Sequence, residues 1–520
     1  MDVALTLVML VGVVVAFGSV ARRIGVAAPL VLIVAGLAIS YASFLPDVTL
    51  TPDLVLIGLL PPLLYAAAIR TPLIDVRREV RPILGLSVGL VLLTTVVVAL
   101  VAWWVLPIPL AAAFAIGAVV APPDAVAATS IARKVGMPRR MVTILEGESL
   151  LNDATAIVTL RASIAAIGGG LTVASLGWQF VVSGVGGVLI GVVVSVVVGR
   201  VRRRIDDDLT DVAVSFLTPW VAYLPAEEIG ASGVLAVVVA GLVLGHRAPL
   251  IQSASSRVFE RTNWATISFL LENTVFVLIG MQVRTIVKGV ETSDVPYGQV
   301  TLAAVLVLLT VVLVRFVGVF AMIFGPRLVP AVRRREDPPD WRPSVVVGWA
   351  GMRGVVTLAA AFLLPQDTPD REVLVMLAFV VTVGTLMLQG LTLPLLVRVL
   401  GIEGPDSAVD RREAAGVLVR ATQAGLDRLD ELVTEDDAPE VVDRLRAQAA
   451  QRAERASTRH TADGPPPGAR EYVRLRAAMI EAERAEVLAV RRSGTVDQAV
   501  VAHVLDMIDA EETVITRRRG

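Results

Sequence analysis

Nothing constrains this chain more than how little charge its first four hundred residues carry. Of its 47 basic and 48 acidic residues, 41 crowd into the last 120 positions and only 54 are left for the first 400. A water-soluble globule of that length needs far more charge to cover its surface. Apolar runs fill the space instead, and 55% of the whole chain is hydrophobic. A bilayer is spanned by roughly 20 apolar residues in a helix, fewer where the helix is broken and buried in protein. Thirteen such runs are legible, near 3–21, 26–44, 53–70, 82–106, 109–132, 141–167, 174–200, 211–224, 230–246, 264–285, 299–325, 343–364 and 372–398. Met1-Asp2 leads straight into the first run without a basic stretch, which predicts a retained span rather than a cleaved leader. Prolines set two of the expected boundaries. Pro61-Pro62 predicts an interruption of the third span, and Pro225 with Glu227-Glu228 predicts the division of 211–246 into two.

The fold class that follows is an all-α polytopic membrane protein with about 13 transmembrane helices and a helical cytoplasmic tail. Its orientation is written in the loops. Those after odd-numbered spans hold 22 Lys and Arg, whereas those after even-numbered spans hold three, Arg284, Lys288 and Arg371. Basic loops stay in the cytoplasm, so the N-terminus is expected outside and the C-terminus inside. Only Lys134 and Lys288 are lysines, a usage that suggests a G+C-rich bacterial genome and hence a bacterial inner membrane. Residues 1–400 are expected as the transmembrane domain and 405–520 as a separate helical domain with a linker near 462–470 (ADGPPPGAR). That tail has apolar residues at helical spacing, in VLVRATQAGLDRLDELV for example, but no phosphate loop, metal-ligand cluster or basic stripe for nucleic acid. It either braces and dimerises the protein or senses a ligand or pH. The absence of cysteine removes thiolate chemistry and thiolate metal sites.

Ionisable residues at bilayer depth cost at least about 2.5–3.5 kcal/mol each, so those that remain need partners or a task. They are Asp124, Glu148, Asp153, Arg161, Glu272, Arg315 and Arg353, with Glu146 near a span end. Asp124 follows Pro122-Pro123, two residues without N–H groups, so the fifth span must break there and line a cavity or be buried in protein. In the sixth span Glu148, Ser149, Asn152 and Asp153 sit at i, i+1, i+4 and i+5, on adjoining stripes of one helical face. Oxygen ligands without His, Cys or Met suit a hard cation such as Na+ or Li+. A buried carboxylate must be neutralised, by a cation or by a proton. One site that takes either but not both is an exchanger in its simplest form. The twelfth span, seven after the fifth, contains GWAGMRGV (348–355) and is expected to break as well, as an inverted repeat of spans 1–6 and 8–13 would require. Arg353 there can offset the negative end of a half-helix. Arg315 needs a carboxylate, for which Glu148 is the candidate, leaving Asp153 to titrate. Arg161 and Glu272 read as structural pairing residues, and His246 as a candidate pH sensor.

With these residues the sequence resembles the bacterial sodium/proton exchangers of the monovalent cation/proton antiporter-1 family. LPPLLYAAAIR (60–70), PPDAVAA (122–128), GESLLNDA (147–154) and GWAGMRGVV (348–356) carry the resemblance, with SGVLAVVVAGL (232–242) and FVLIGMQV (276–283) beside them. It implies a core domain with two crossing broken helices, a separate dimer domain, and a homodimer that works by an elevator-type movement. It also implies that Asp153 alternately binds cation and proton beside Asn152, that Glu148 and Ser149 form or support the cation site, that Asp124 lies at the unwound stretch, and that Arg315 pairs with Glu148. Asn152 in place of a second Asp resembles the electroneutral branch. Pro123 departs from the Thr of many relatives and removes a hydroxyl and an N–H.

The function expected is secondary antiport of Na+ or Li+ against protons, by competition at Asp153 and alternating access, without catalysis, ATP or a redox cofactor. A tentative Na+ site comprises Asp153, Ser149 and Glu148. A K+/H+ antiporter on the same scaffold is the alternative, and a tail-gated cation channel is another.

Overall fold

The computed structural model describes residues 2–24, 28–41, 53–124, 137–167, 173–325, 340–402, 407–434, 437–461 and 469–493, with short helical pieces between 504 and 512. Every regular element among them is a helix. The chain divides into two compact units, Met1–Gly404 and Pro405–Gly520.

The first unit begins with α1 (Asp2–Ile24) and α2 (Ala28–Ser40). A π-helical turn, Leu54–Leu59, then runs without a gap into α3 (Leu60–Ala68), followed by the short α4 (Leu73–Arg78) and α5 (Val80–Leu84). A second π segment, Gly85–Leu90, leads into α6 (Val91–Val105), and α7 (Leu110–Val120) follows. The long helices come next: α8 (Arg139–Ile167), α9 (Val173–Arg202), α10 (Asp208–Glu228), α11 (Gly233–Ile251), α12 (Ala254–Glu291) and α13 (Tyr297–Phe324). The pair α14 (Trp341–Trp349) and α15 (Val355–Phe362) is interrupted, and α16 (Arg371–Val399) closes the unit. Among the described residues seven helical stretches are long and apolar enough to cross a membrane, and four shorter ones are apolar. The other two expected spans are α10, which contains two prolines, and the interrupted α14–α15.

Three prolines act differently from expectation. Pro61 and Pro62 do not break the third span; they occupy the first turn of α3, which continues directly from the π-helical turn, so their missing N–H groups are felt by a carbonyl of that turn. The carbonyl of Ile57 cannot be reached from Pro61 or Pro62, and the Trp220 indole on α10 donates to it instead, at 2.7 Å. Pro225 does not end α10 either. The helix runs through Pro219 and Pro225 to Glu228. The turn comes at Gly230, whose φ of 74° is in the left-handed region, and Ser232 then caps α11 by accepting from the Leu235 N–H.

Outward faces are apolar. On α9 Trp178, Val185, Leu189 and Val193 are exposed, and on α13 Leu302, Leu309, Leu313 and Val317. Such ladders are a liability in water and the normal surface in lipid. Between helices the packing rests on small residues, as it must where lipid is as apolar as leucine. At the α2–α12 crossing a Cβ on Gly280, the glycine of FVLIGMQV, would lie 2.1 Å from the Ile33 carbonyl oxygen.

Two apolar cores form in this unit, and α8 lies between them. Met141, Leu145 and Leu160 belong to the larger, built with α6, α7 and α13–α16; Leu150, Ala154 and Ile157 belong to the second, built with α3 and α9–α11. The segment with the acidic cluster is therefore clamped from both sides.

The second unit contains α17 (Ser407–Leu432), α18 (Pro439–Thr461) and α19 (Ala469–Ser493). Arg446 on α18 pairs with Asp430 on α17 at 2.8 Å. Residues 462–468 of the expected linker lie outside the described residues.

Trp220→Phe leaves the Ile57 carbonyl without its donor beside two prolines. A loss of about 1–3 kcal/mol is expected, read as a lower thermal midpoint of the purified protein in detergent; an unchanged midpoint would contradict this role.

Candidate ion-binding site

The site is made by two interruptions that meet. Helix α7 ends at Val120, and Ala121, Pro122, Pro123 and Asp124 continue without helical structure. The rest of the expected fifth span, residues 125–132, lies outside the described residues. Residues 350–354 separate α14 from α15 in the same way. Each break satisfies the other. The Asp124 N–H donates to the Met352 carbonyl at 2.6 Å. The Arg353 guanidinium donates to the carbonyls of Val120 at 3.0 Å and Ala121 at 3.2 Å, the C-terminal end of α7, and also to Gly351. The Arg353 N–H donates to the Thr385 hydroxyl of α16 at 2.9 Å. Positive charge at a helix C-terminus is favourable in itself, and more so away from water.

Helix α8 crosses beside this junction. The Asn152 side-chain amide donates to the Pro123 carbonyl at 2.6 Å. Any residue at 123 offers that carbonyl, so proline keeps the tie between α8 and the break although it lacks a hydroxyl and an N–H. The other end of the amide, Asn152 Oδ1, is buried and has no hydrogen-bond partner among the described residues. Asp153 is 6% exposed. Its carboxylate and that of Asp124, which is half-buried, lie close enough to repel each other. No described residue forms a salt bridge with Asp153. Ser149 is half-buried on the same helix.

Glu148 is in a different position. Arg315 of α13 holds both its oxygens, at 2.6 and 3.0 Å, and donates through Nε to the Val347 carbonyl at 3.3 Å. Both side chains are 1% exposed. The charge of Glu148 is thus matched by a two-pronged ion pair of the strong kind. Asp153 has no such partner among the described residues and lies near enough to Asp124 to be repelled by it, a repulsion that a proton or a cation on Asp153 relieves.

The other charged residues fall elsewhere. Arg161, two turns along α8, pairs with Glu227 at the end of α10 at 2.5 Å, and Glu227 also accepts from the Gly233 N–H. Glu272 is half-buried on α12 and interacts electrostatically with Asp124 and Arg70. His246 is exposed near the end of α11.

Sequence reasoning missed three contributors. Thr385 gave a signal only as a hydroxyl in an apolar span. Glu227 was read as a loop marker, not as the partner of Arg161. Gly354 counted as a helix breaker, but its more specific task is space: a Cβ there would lie 1.7 Å from Asp124 Oδ2.

The pattern described as "Sodium/hydrogen exchanger, transmembrane" matches residues 7–399. The chain belongs to the sodium/hydrogen exchanger family. An uncharacterized Na+/H+ exchanger of Mycobacterium tuberculosis is 32% identical over 523 residues, which cover 97% of this chain and 95% of that protein. A sodium, potassium, lithium and rubidium/H+ antiporter of Bacillus pumilus is 34% identical over 387 residues, 71% of this chain and 57% of its own length. The sodium proton antiporter MjNhaP1 from Methanocaldococcus jannaschii, solved at pH 8, shares the fold. Its TM-score is 0.64 at 17% identity, and the match covers 77% of this exchanger and 100% of that chain.

Two substitutions test the geometry. Gly354→Ala is expected to displace Asp124 and abolish exchange while the protein still inserts; full activity would mean the crossing is looser than described. Glu148→Gln leaves a buried guanidinium unpaired, at roughly 3–5 kcal/mol. A double Glu148→Gln, Arg315→Met variant should lose less stability than Glu148→Gln alone. Equal or greater loss, measured by thermal unfolding, would show that the two do not act as a pair.

Proposed function

We propose that this exchanger moves Na+ or Li+ out of the cell against entering protons, one for one, by competition at Asp153 followed by alternating access. Monovalent cation/proton antiport is the activity of the family to which the chain belongs. One observation supports the choice of Asp153 above all: beside the crossed breaks, Glu148 is matched by Arg315, whereas Asp153 has no ion-pair partner among the described residues. A cation bound there has Asp153 as its charged ligand, with Asn152 Oδ1, the Ser149 hydroxyl and Asp124 as the further oxygens at hand. Glu148, Arg315 and Arg353 support the site without moving charge. Protonation of Asp153 removes the negative charge that holds the cation, which is all the coupling that exchange requires. No resident cofactor enters this scheme, because the ions are cargo.

Neutral exchange follows from one carboxylate changing partners, with Asn rather than Asp at 152. Placement in a bacterial inner membrane, with the N-terminus outside and the C-terminus in the cytoplasm, is supported by the 22 basic residues in loops after odd-numbered spans. A homodimer with separate core and dimer parts fits the family resemblance, and the two apolar cores on either side of α8 are compatible with such a division. A wider cation range, including K+, is favoured by the Bacillus pumilus relative, which is described as an antiporter of sodium, potassium, lithium and rubidium.

Inside-out vesicles with an acid interior and a fluorescent pH reporter provide the test, with Na+, Li+, K+ or choline added in turn. Recovery of the signal with Na+ and Li+, lost in Asp153→Asn at equal membrane content, is the expected result. Coupled transport that survives Asp153→Asn would rule out the proposed competition. Recovery with K+ would extend the cargo. Rates that change with an imposed membrane potential would contradict one-for-one exchange.

A further inference from the structure

Away from the crossed breaks, a cavity of about 390 Å³ lies where the ends of α3, α9 and α11 meet the start of α12. Four arginines line it, Arg70, Arg202, Arg257 and Arg261, against one carboxylate, Glu260. Arg202 is buried and already matched: it donates to both Asp211 oxygens, at 2.7 and 2.8 Å, and pairs with Glu260 at 3.0 Å. Gln252 bridges those two carboxylates, at 3.0 and 2.9 Å. This network makes a rigid floor. Arg257 is tied to the Gln252 carbonyl at 2.7 Å, yet neither it nor Arg261 has a carboxylate partner among the described residues. Tyr65 also lines the cavity, its hydroxyl buried close to Ser215 and Thr218. The remaining wall is apolar, from Ile69, Leu244 and Pro249.

We infer that this cavity is a binding site for a phosphate-bearing anion, separate from the cation site. Guanidinium groups hold phosphate oxygens by paired N–H donors, and the oxygens of a phosphate ester, singly or doubly charged, can answer more than one of them at once. The apolar wall suits a phosphate attached to an organic body better than a bare ion. All four helix ends adjoin loops after odd-numbered spans, or the start of the span that follows one, so the ligand would come from the cytoplasmic side or from the lipid leaflet facing it. Both sources offer the same chemistry, a phosphate ester.

The test uses the purified full-length protein and two probes. Inorganic phosphate is compared with chloride at matched ionic strength in detergent, and vesicles of phosphatidylcholine are compared with and without phosphatidylglycerol. Each is applied to the wild type, to Arg257→Gln/Arg261→Gln, and to Arg70→Gln/Arg261→Gln, whose two arginines are both exposed. A ligand that binds the folded state raises the thermal midpoint. A rise of several degrees in the wild type, at least halved in both variants, is expected. If phosphate produces it in detergent, the source is a soluble phosphate compound; if only phosphatidylglycerol does, it is a lipid headgroup. No rise with either probe, or the same rise in wild type and variants, would overturn the inference. The readout is binding, so its failure leaves the exchange mechanism untouched and the reverse also holds.

Discussion

Two stretches of unwound backbone inside a membrane have nowhere to send their polar groups except to each other. Everything at the centre of this exchanger depends on that constraint. Water is not there to satisfy a carbonyl or an N–H, so a helix break at bilayer depth survives only where protein supplies the partners. Here Met352 accepts from the Asp124 N–H, Arg353 takes the last carbonyls of α7, and Asn152 holds Pro123. The junction is therefore one unit of three segments, α7, α8 and the α14–α15 pair. The end of α7 is its hub, bonded to α8 on one side and to the α14–α15 pair on the other.

The charges around the junction divide by the same logic. Arg353 and Arg315 are both buried, but each is answered, the first by carbonyls and the second by Glu148. What is left is Asp153, which has no ion-pair partner among the described residues and is repelled by Asp124. A site built this way is not neutral when empty, and the charge that Asp153 lacks is that of one small cation or one proton. Helix α8 brings that site to the boundary between two apolar cores, where relative movement of the two would carry Asp153 with it.

Much of this was legible in the chain, for reasons that are physical. Pro122-Pro123 cannot sit in the interior of a continuous helix, and with an acidic residue directly after them at bilayer depth they mark the first break. GWAGMRGV announces the second by its glycines. Glu148 and Arg315 can be matched because an isolated buried charge requires an opposite one. Contacts that depend on how helices cross were not legible. Pro61-Pro62 look like an interruption until Trp220, 163 residues away, is seen to serve the Ile57 carbonyl. Pro225 looks like a helix end until Gly230 and Ser232 are seen to make the turn. The pairing of Arg161 with Glu227 joins two spans that no periodicity connects. The arginine-lined cavity is likewise invisible in sequence, where its residues read only as basic loops.

The most direct measurement of the central claim is proton release on cation binding to the purified protein. Calorimetric titration with Na+ or Li+ in buffers of different ionisation enthalpy counts protons without any transport step. Competition at a single carboxylate predicts about one proton released per cation bound when the site starts protonated, with release fading as pH rises and the site empties of protons beforehand. Cation binding that releases no proton at any pH, or the same release from Asp153→Asn, would contradict the account.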